Sequence, residues 1–176
     1  LSEEGPLPDY EERKNWPGLW VVDPLDGTSE FLKRNDEFTV NIAWVQNGRP
    51  MAGVIYLPVT HTLYFGMEGM GAFKVGDVTV AKSEEELIRA AQRLPIEKQH
   101  EGFVVVASRS HLSGETEAYI DLLRKDHPDL SLISAGSSMK LCRVAEGSAD
   151  VYPRFAPTME WDTAAGDAIV RAAGGE

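Results

Sequence analysis

The rhythm of hydrophobic and polar positions changes about halfway along the chain. Residues 5–18 are rich in Pro, Gly and charge and predict a loop. Trp20-Val21-Val22 is a short apolar run that reads as a buried strand, ended by the turn cluster Asp23-Pro24-Leu25-Asp26-Gly27-Thr28. Phe38, Val40, Ile42 and Trp44 then alternate with Thr39, Asn41 and Ala43, the period of a strand. Asn47-Gly48 is a strong hairpin signal, and 52–57 returns as the partner strand. Stretches 61–67 and 71–75, each bounded by Gly or Pro, predict two more. Ser83-Glu84-Glu85-Glu86 carries a capping-box pattern and predicts a solvated helix to about Leu94, where Pro95 stops it.

From Phe103 onward, strands and helices alternate. The pattern predicts a strand at 103–107, a helix at 115–125, a strand at 130–134 and a helix at 138–146 stopped by Gly147. A short strand at 150–152 and a helix at 161–173 complete it. The fold class is therefore α/β in layers, with an antiparallel sheet first and a smaller α/β sheet unit after it. The expected division is a first half at 1–98, mainly antiparallel sheet, and an α/β half at 99–176.

The composition narrows the function. With 28 acidic and 17 basic residues among 176, the formal charge is −11, and the pI is near 4.8. Such a chain lacks the excess of Lys and Arg needed to grip a nucleic-acid polymer. A phosphorylated small molecule stays open, because metal ions can supply positive charge. No apolar run approaches the length that spans a bilayer, so no integral membrane segment is expected. The single cysteine, Cys142, excludes a disulfide framework, reads as a core residue and suits a reducing, cytoplasmic setting. The chain opens at Leu1 without methionine and closes at Gly174-Gly175-Glu176 just after a helical pattern, so both ends read as cut from something longer.

The placement of carboxylates is the chemical signal. Asp23 and Asp26 sit where a strand gives way to a turn, with Pro24 stiffening the backbone between them. Acids held this close repel, which a cation relieves. Asp26-Gly27-Thr28 then leads into a helix start, where free N–H groups and a side-chain-free glycine suit a phosphate. The same residues also read as a helix cap (Asp26) and a turn residue (Asp23). Asp162, at the start of the last helix, reads either as a cap or as a further metal ligand. Behind it, Ala164, Ala165, Ala168, Ile169, Ala172 and Ala173 form a stripe of mostly small side chains that lets this helix approach a neighbour closely.

Together these segments resemble the inositol monophosphatase superfamily of magnesium-dependent, lithium-sensitive phosphomonoesterases. The resemblance rests on Trp20-Val21-Val22-Asp23-Pro24-Leu25-Asp26-Gly27-Thr28, on Glu3-Glu4 before it, and on Trp161-Asp162-Thr163-Ala164-Ala165-Gly166. Within the superfamily, the 3′(2′),5′-bisphosphate nucleotidase branch is the finer match. It is carried by Glu30-Phe31, Lys33-Arg34-Asn35, Glu37-Phe38-Thr39-Val40-Asn41, Ser108-Arg109-Ser110-His111, Gly136-Ser137-Ser138-Met139-Lys140 and Ala145-Glu146-Gly147 running into Tyr152-Pro153-Arg154. Only about 75–101 lies outside the resemblance.

The resemblance implies alternating αβαβα layers of the sugar-phosphatase kind. It implies two or more Mg²⁺ ions held by the carboxylates of Glu3, Asp23, Asp26 and Asp162 and the backbone carbonyl of Leu25. Glu3 would also orient the attacking water and Thr28 would hold it, making Glu3, Asp26 and Thr28 the catalytic group. Asp26, Gly27, Thr28 and Asp162 would meet the scissile phosphate, while His111, Ser137, Lys140 and Arg154 would hold the adenosine and its second phosphate. The implied reaction is hydrolysis of the 3′-phosphate of adenosine 3′,5′-bisphosphate, with 3′-phosphoadenylyl sulfate as a second substrate, in sulfur metabolism. In this superfamily a helical stretch precedes the Glu3-Glu4 motif and contributes an acid that partners the Thr28 position; this chain does not contain it. Two alternatives remain: an inositol monophosphatase or sugar bisphosphatase with the same metal centre, and an acidic cation-binding chain without turnover.

Overall fold

At Asn47-Gly48 the backbone takes φ of 51° and 73°, the left-handed pair that closes a two-residue hairpin in step with strand twist. In the computed structural model, which describes residues 1–79, 83–95, 98, 100–108 and 113–176, this turn is the pivot of a large antiparallel sheet. The sheet contains β1 (Gly18–Asp26), β2 (Thr39–Gln46), β3 (Arg49–Leu57), β4 (Thr62–Met67), β5 (Gly71–Val75) and β6 (Gln92–Leu94). These six strands lie side by side in chain order. The Pro-rich lead-in is loop, as its composition predicts, apart from one helical turn, α1 (Tyr10–Arg13), tied by Arg13 to Glu160. Another single-turn helix, α2 (Thr28–Lys33), follows β1.

The helix expected to run to Leu94 is shorter. In α3 (Glu84–Ala90) the capping box is formed: Glu86 N–H donates to Ser83 Oγ at 3.2 Å, and Ser83 N–H donates to the Glu86 carboxylate at 3.0 Å. Residues 92–94 then leave the helix and pair with β5, Leu94 opposite Ala72. An open sheet edge presents unpaired backbone groups. Pairing there satisfies them and buries Leu94, which one more helical turn would leave on a solvated face.

The second sheet holds β7 (Val104–Ser108) and β8 (Ser131–Ala135), parallel and joined by α4 (Gly114–Asp126). The strand predicted at 150–152 shrinks to an isolated bridge between Val151 and Val105. Asp150 there accepts from the Val104 N–H at 2.7 Å, and Pro153, which has no N–H, prevents further pairing. The helices α5 (Met139–Ala145) and α6 (Glu160–Ala172) complete the fold. α6 lies across β1 to β5, and α5 touches both α6 and the small sheet, so the order of layers is sheet, helices, sheet.

Burial on β2 runs on the face opposite to its large apolar residues. Thr39, Asn41, Ala43 and Val45 are buried, whereas Ile42 is exposed and Val40 and Trp44 are half-covered. β1 is an edge strand with Trp20 exposed and only Val21 and Asp23 buried, so it is less enclosed than its apolar run suggests. Trp20 and Trp44 meet on the outer face, ring centroids 5.2 Å apart. The inner face takes small residues because α6 approaches so closely. A Cβ on Gly53 of β3 would stand 2.2 Å from the carbonyl oxygen of Ala165. The alanine stripe of α6 is the other half of that contact.

Glu146, at the end of α5, is buried and accepts four hydrogen bonds: Tyr64 Oη at 2.8 Å, Lys74 Nζ at 2.6 Å, Arg143 Nη1 at 2.9 Å and Ser148 Oγ at 2.9 Å. Burial by itself raises its pKa, but the hydrogen bonds and charge from Lys74 and the bond from Tyr64 outweigh it, and the net shift is downward. The network ties β4 and β5 to the helix whose other end enters the site.

Candidate functional site

The site begins with an irregularity in β1. Asp23 pairs with Asn41 and Asp26 with Thr39, so three steps on β1 match two on β2. In a regular strand, residues three apart point to opposite faces. The bulge re-aims one of them, and Asp23 and Asp26 both reach one cleft. Pro24 sits within it, where no ladder N–H is needed.

Asp162 arrives on the third residue of α6. Its Oδ2 accepts from the Met159 N–H at 3.1 Å and from Thr158 Oγ1 at 2.5 Å, so it closes the helix start as the capping reading expects. It also joins Asp23 and Asp26 in a group whose carboxylate oxygens lie within 4.8 Å of one another. Cap and cluster member are therefore the same residue.

Asp23 is 1% exposed and accepts a hydrogen bond from the Leu25 N–H at 3.0 Å. Burial, then the Asp26 charge, then Glu3 raise its pKa, against the pull of the Leu25 bond, to about 8. Glu3 is brought alongside by the first residues of the chain, where Ser2 bridges Val22 in parallel and Glu3 N–H donates to the Val22 carbonyl at 3.2 Å. It lines the cleft but is exposed and stands outside the group of three. A buried carboxylate crowded by two more acids, with hard oxygen donors from separate elements, fits a divalent cation.

Asp26 is held from behind. Its Oδ2 accepts from Thr39 Oγ1 at 3.2 Å, Asn41 Nδ2 at 3.2 Å, Ser138 N–H at 2.6 Å and Ser138 Oγ at 2.7 Å. Among the described residues, Oδ1 takes no hydrogen bond. The Thr28 hydroxyl donates to the Leu25 carbonyl at a long 3.4 Å. Gly27 has φ of 90°, and a Cβ there would stand 3.1 Å from both the Glu37 carbonyl and Ser137 Cβ. Any side chain at that turn would be both strained and crowded.

The opposite wall comes from the 136–140 loop, α5 and the segment after α5 that carries Tyr152 and Arg154. The cleft is about 280 Å³ and is lined by Leu25, Gly27, Thr28, Ser137, Lys140 and Arg154 as well as Glu3, Asp23, Asp26 and Asp162. Lys140 is buried. Its Nζ donates to the Ser137 carbonyl and lies 5.5 Å from the centre of the Tyr152 ring. Burial lowers its pKa, against the pull of Asp26. Arg154 donates to Tyr152 Oη at 3.1 Å and stands 3.8 Å from the Asp162 carboxylate. Ser137 is left-handed at φ of 43°, and its buried Oγ is without a hydrogen-bond partner among the described residues. His111 lies outside the described residues.

The structure thus gathers Glu3, Asp23, Leu25, Asp26, Gly27, Thr28, Ser137, Lys140, Arg154 and Asp162 around one cleft. The sequence reading assigned no role to Thr39, Asn41 and Ser138, which grip Asp26, or to Glu30 and Tyr152 in the cleft wall. Thr39 and Asn41 left a trace, as polar residues inside an apolar strand. Ser138 left none.

The model of the inositol monophosphatase family matches residues 1–176. The 3′(2′),5′-bisphosphate nucleotidase CysQ of Escherichia coli K12 is 45% identical over 174 residues, 99% of this chain and 63% of that protein. Among solved structures, CysQ from Bacteroides thetaiotaomicron superposes with a TM-score of 0.93 at 58% identity, over 99% of this chain and 65% of that one. The extragenic suppressor protein suhB of Bartonella henselae superposes with a TM-score of 0.71 at 29% identity, over 99% of this chain and 62% of that one. The chain spans about 63% of the length of the curated relatives it matches. Among the described residues, no helix is long and apolar enough to cross a membrane.

Proposed function

On the premise that the chain belongs to the inositol monophosphatase family, we propose that it carries the site of a Mg²⁺-dependent phosphomonoesterase that cleaves the 3′-phosphate of adenosine 3′,5′-bisphosphate, giving AMP and phosphate. The observation that carries this reading is the pairing within one cleft of a three-carboxylate cluster with the cations Lys140 and Arg154. A substrate with two phosphates needs both. The name of the relatives at 45% identity points the same way. The 3′-phosphate of 3′-phosphoadenylyl sulfate offers the same chemistry and belongs to the same proposal.

Asp23, Asp26 and Asp162, with Glu3 and the Leu25 carbonyl at the margin, would hold the ions. When bound, such ions neutralise the phosphate oxygens and lower the pKa of the attacking water. Thr28 Oγ1, at the head of α2, holds that water, and Glu3 orients it from the chain's first residues. The N–H groups of Gly27 and Thr28 face the scissile phosphate, helped by the φ of 90° at Gly27. Lys140 and Arg154 bind the distant phosphate, Arg154 through a planar fork suited to its oxygens. The Ser137 hydroxyl, without a partner among the described residues, donates to the nucleotide between them.

The test is phosphate release from adenosine 3′,5′-bisphosphate and from inositol 1-phosphate, with Mg²⁺ and with EDTA, using this chain and one extended to its relatives' length. Mg²⁺-dependent release from the nucleotide, with little from inositol phosphate, is the expected result. Preference for inositol phosphate would place the protein with the inositol monophosphatases and remove the assigned roles of Lys140 and Arg154. Mg²⁺ binding without turnover in either chain would overturn the enzyme reading.

A further inference from the structure

We propose that Ser138 is a positioning residue: its hydroxyl locks Asp26 for cation binding and thereby couples the 136–140 loop to the carboxylate cluster. This rests on the metal-dependent reading above. Ser138 lies in the second half of the chain, 112 residues from Asp26, yet supplies the two shortest of the four hydrogen bonds to Asp26 Oδ2, at 2.6 Å from its N–H and 2.7 Å from its Oγ.

The protons can be assigned. A serine hydroxyl has one proton to give and can accept two. Ser138 Oγ stands 2.7 Å from Asp26 Oδ2, 3.1 Å from the Asp162 carbonyl and 2.9 Å from Asn41 Nδ2. The Asn41 amide spends its two protons on Ser138 Oγ and on Asp26 Oδ2, at 2.9 and 3.2 Å. The serine proton therefore goes to the carboxylate, the shorter and charged acceptor. Turning the Asn41 amide over would set its carbonyl against Asp26 and remove both bonds. Ser138 and Asn41 are 3% and 1% exposed, so water does not substitute for either.

With Oδ2 saturated, Asp26 presents Oδ1 to the cluster in one fixed direction. The loop that grips it also carries Ser137 and leads into Lys140, whose Nζ bonds the Ser137 carbonyl. A ligand that steadies Ser137 and Lys140 therefore steadies Asp26 as well. Coupling of binding free energies is reciprocal, so cation binding at Asp26 must favour the same loop geometry.

Isothermal titration with Mg²⁺, without substrate, tests this on the protein extended to its relatives' length. The variants are Ser138→Ala, which keeps the backbone bond, and Thr39→Val, which removes the longer 3.2 Å bond at nearly equal volume. Ser138→Ala is expected to weaken Mg²⁺ binding about ten-fold or more, the usual loss when a partner of a metal ligand is removed. Thr39→Val is expected to cost less in Mg²⁺ affinity, while in EDTA the two variants, each losing a buried hydroxyl, should both melt somewhat below the wild type and close to each other. Saturating Mg²⁺ should tighten AMP binding in the wild type and not in Ser138→Ala. Unchanged Mg²⁺ affinity in Ser138→Ala overturns the proposal, as does equal tightening of AMP in both proteins. Mg²⁺ losses in the two variants that merely track their falls in metal-free melting temperature would make the role structural and also overturn it. Absence of Mg²⁺ binding in the wild type would instead overturn the metal reading.

Discussion

Replacing Gly53 by alanine adds one methyl group at the tightest point between the large sheet and α6. The new Cβ would lie 2.2 Å from the Ala165 carbonyl oxygen and 2.9 Å from Ala165 Cα. An ordinary carbon–oxygen contact is about 3.3 Å, so the helix must retreat by about 1 Å. The obstacle is helix backbone rather than the tip of a flexible side chain, so the cost belongs at the upper end of the range for overpacking, about 3 kcal/mol. α6 carries Asp162, whose carboxylate lies within 4.8 Å of those of Asp23 and Asp26. A misplacement of about 1 Å at a reacting centre lowers the rate about 100-fold. Urea denaturation in EDTA measures the first effect, and Mg²⁺-dependent phosphate release the second. Gly48→Ala is the control: no atom stands within 4 Å of its Cβ. It should cost about 1 kcal/mol for its left-handed backbone and leave the activity unchanged. Gly53→Ala with wild-type stability and wild-type turnover would refute the idea that β3–α6 spacing sets the position of Asp162.

Asp26→Asn should abolish Mg²⁺-dependent phosphate release while the metal-free protein melts at or above the wild-type temperature, because a ligand charge and a repulsion leave together. Surviving activity would show that Asp26 is not a metal ligand. Glu146→Gln should destabilise the protein by about 2 kcal/mol, the buried-pair cost reduced because Lys74 and Arg143 are partly solvated. The Glu146 pKa is depressed by folding, so its contribution is complete above the ordinary glutamate range and is lost as pH falls through the folded value. Wild type and variant should therefore converge in melting temperature on acidification; a gap that stays constant would contradict the network. Cys142 is fully buried and burial pushes its thiol pKa up, so a thiolate-selective reagent should label it only on unfolding. Rapid labelling of the native protein would show that α5 opens.

Most of the elements were legible in the sequence because each rests on local chemistry. Asn47-Gly48 closes a hairpin, Ser83 caps a helix, and 103–107 is apolar enough to be a strand wherever it packs. The misreadings occur where distant partners compete. Residues 92–94 continue a helical pattern, yet the free edge of β5 draws them into the sheet. At 150–152 the residues suit a strand, but Asp150 turns its side chain to the Val104 N–H, and a single bridge remains. The site divides in the same way. Asp23, Asp26, Gly27 and Thr28 announce themselves by clustering in six residues. The burial of Lys140 beside Tyr152 depends instead on how α5 packs against the rest of the fold.

The sequence by itself determined the layered α/β class, most of the strands and helices in their order, and the motif that places acids at the end of β1. These follow from periodicity, turn residues and close spacing, which act within a few residues. The tertiary structure alone decided which face of β2 is the inner one, since alternation marks a strand without saying where its helix lies. It alone decided that Asp23 and Asp26 point the same way, because the bulge between them depends on pairing with Asn41 and Thr39. And it alone brought Ser138 to Asp26 across 112 residues. A hydrogen bond of 2.7 Å is a matter of position in space, and no local pattern in the chain encodes that closeness.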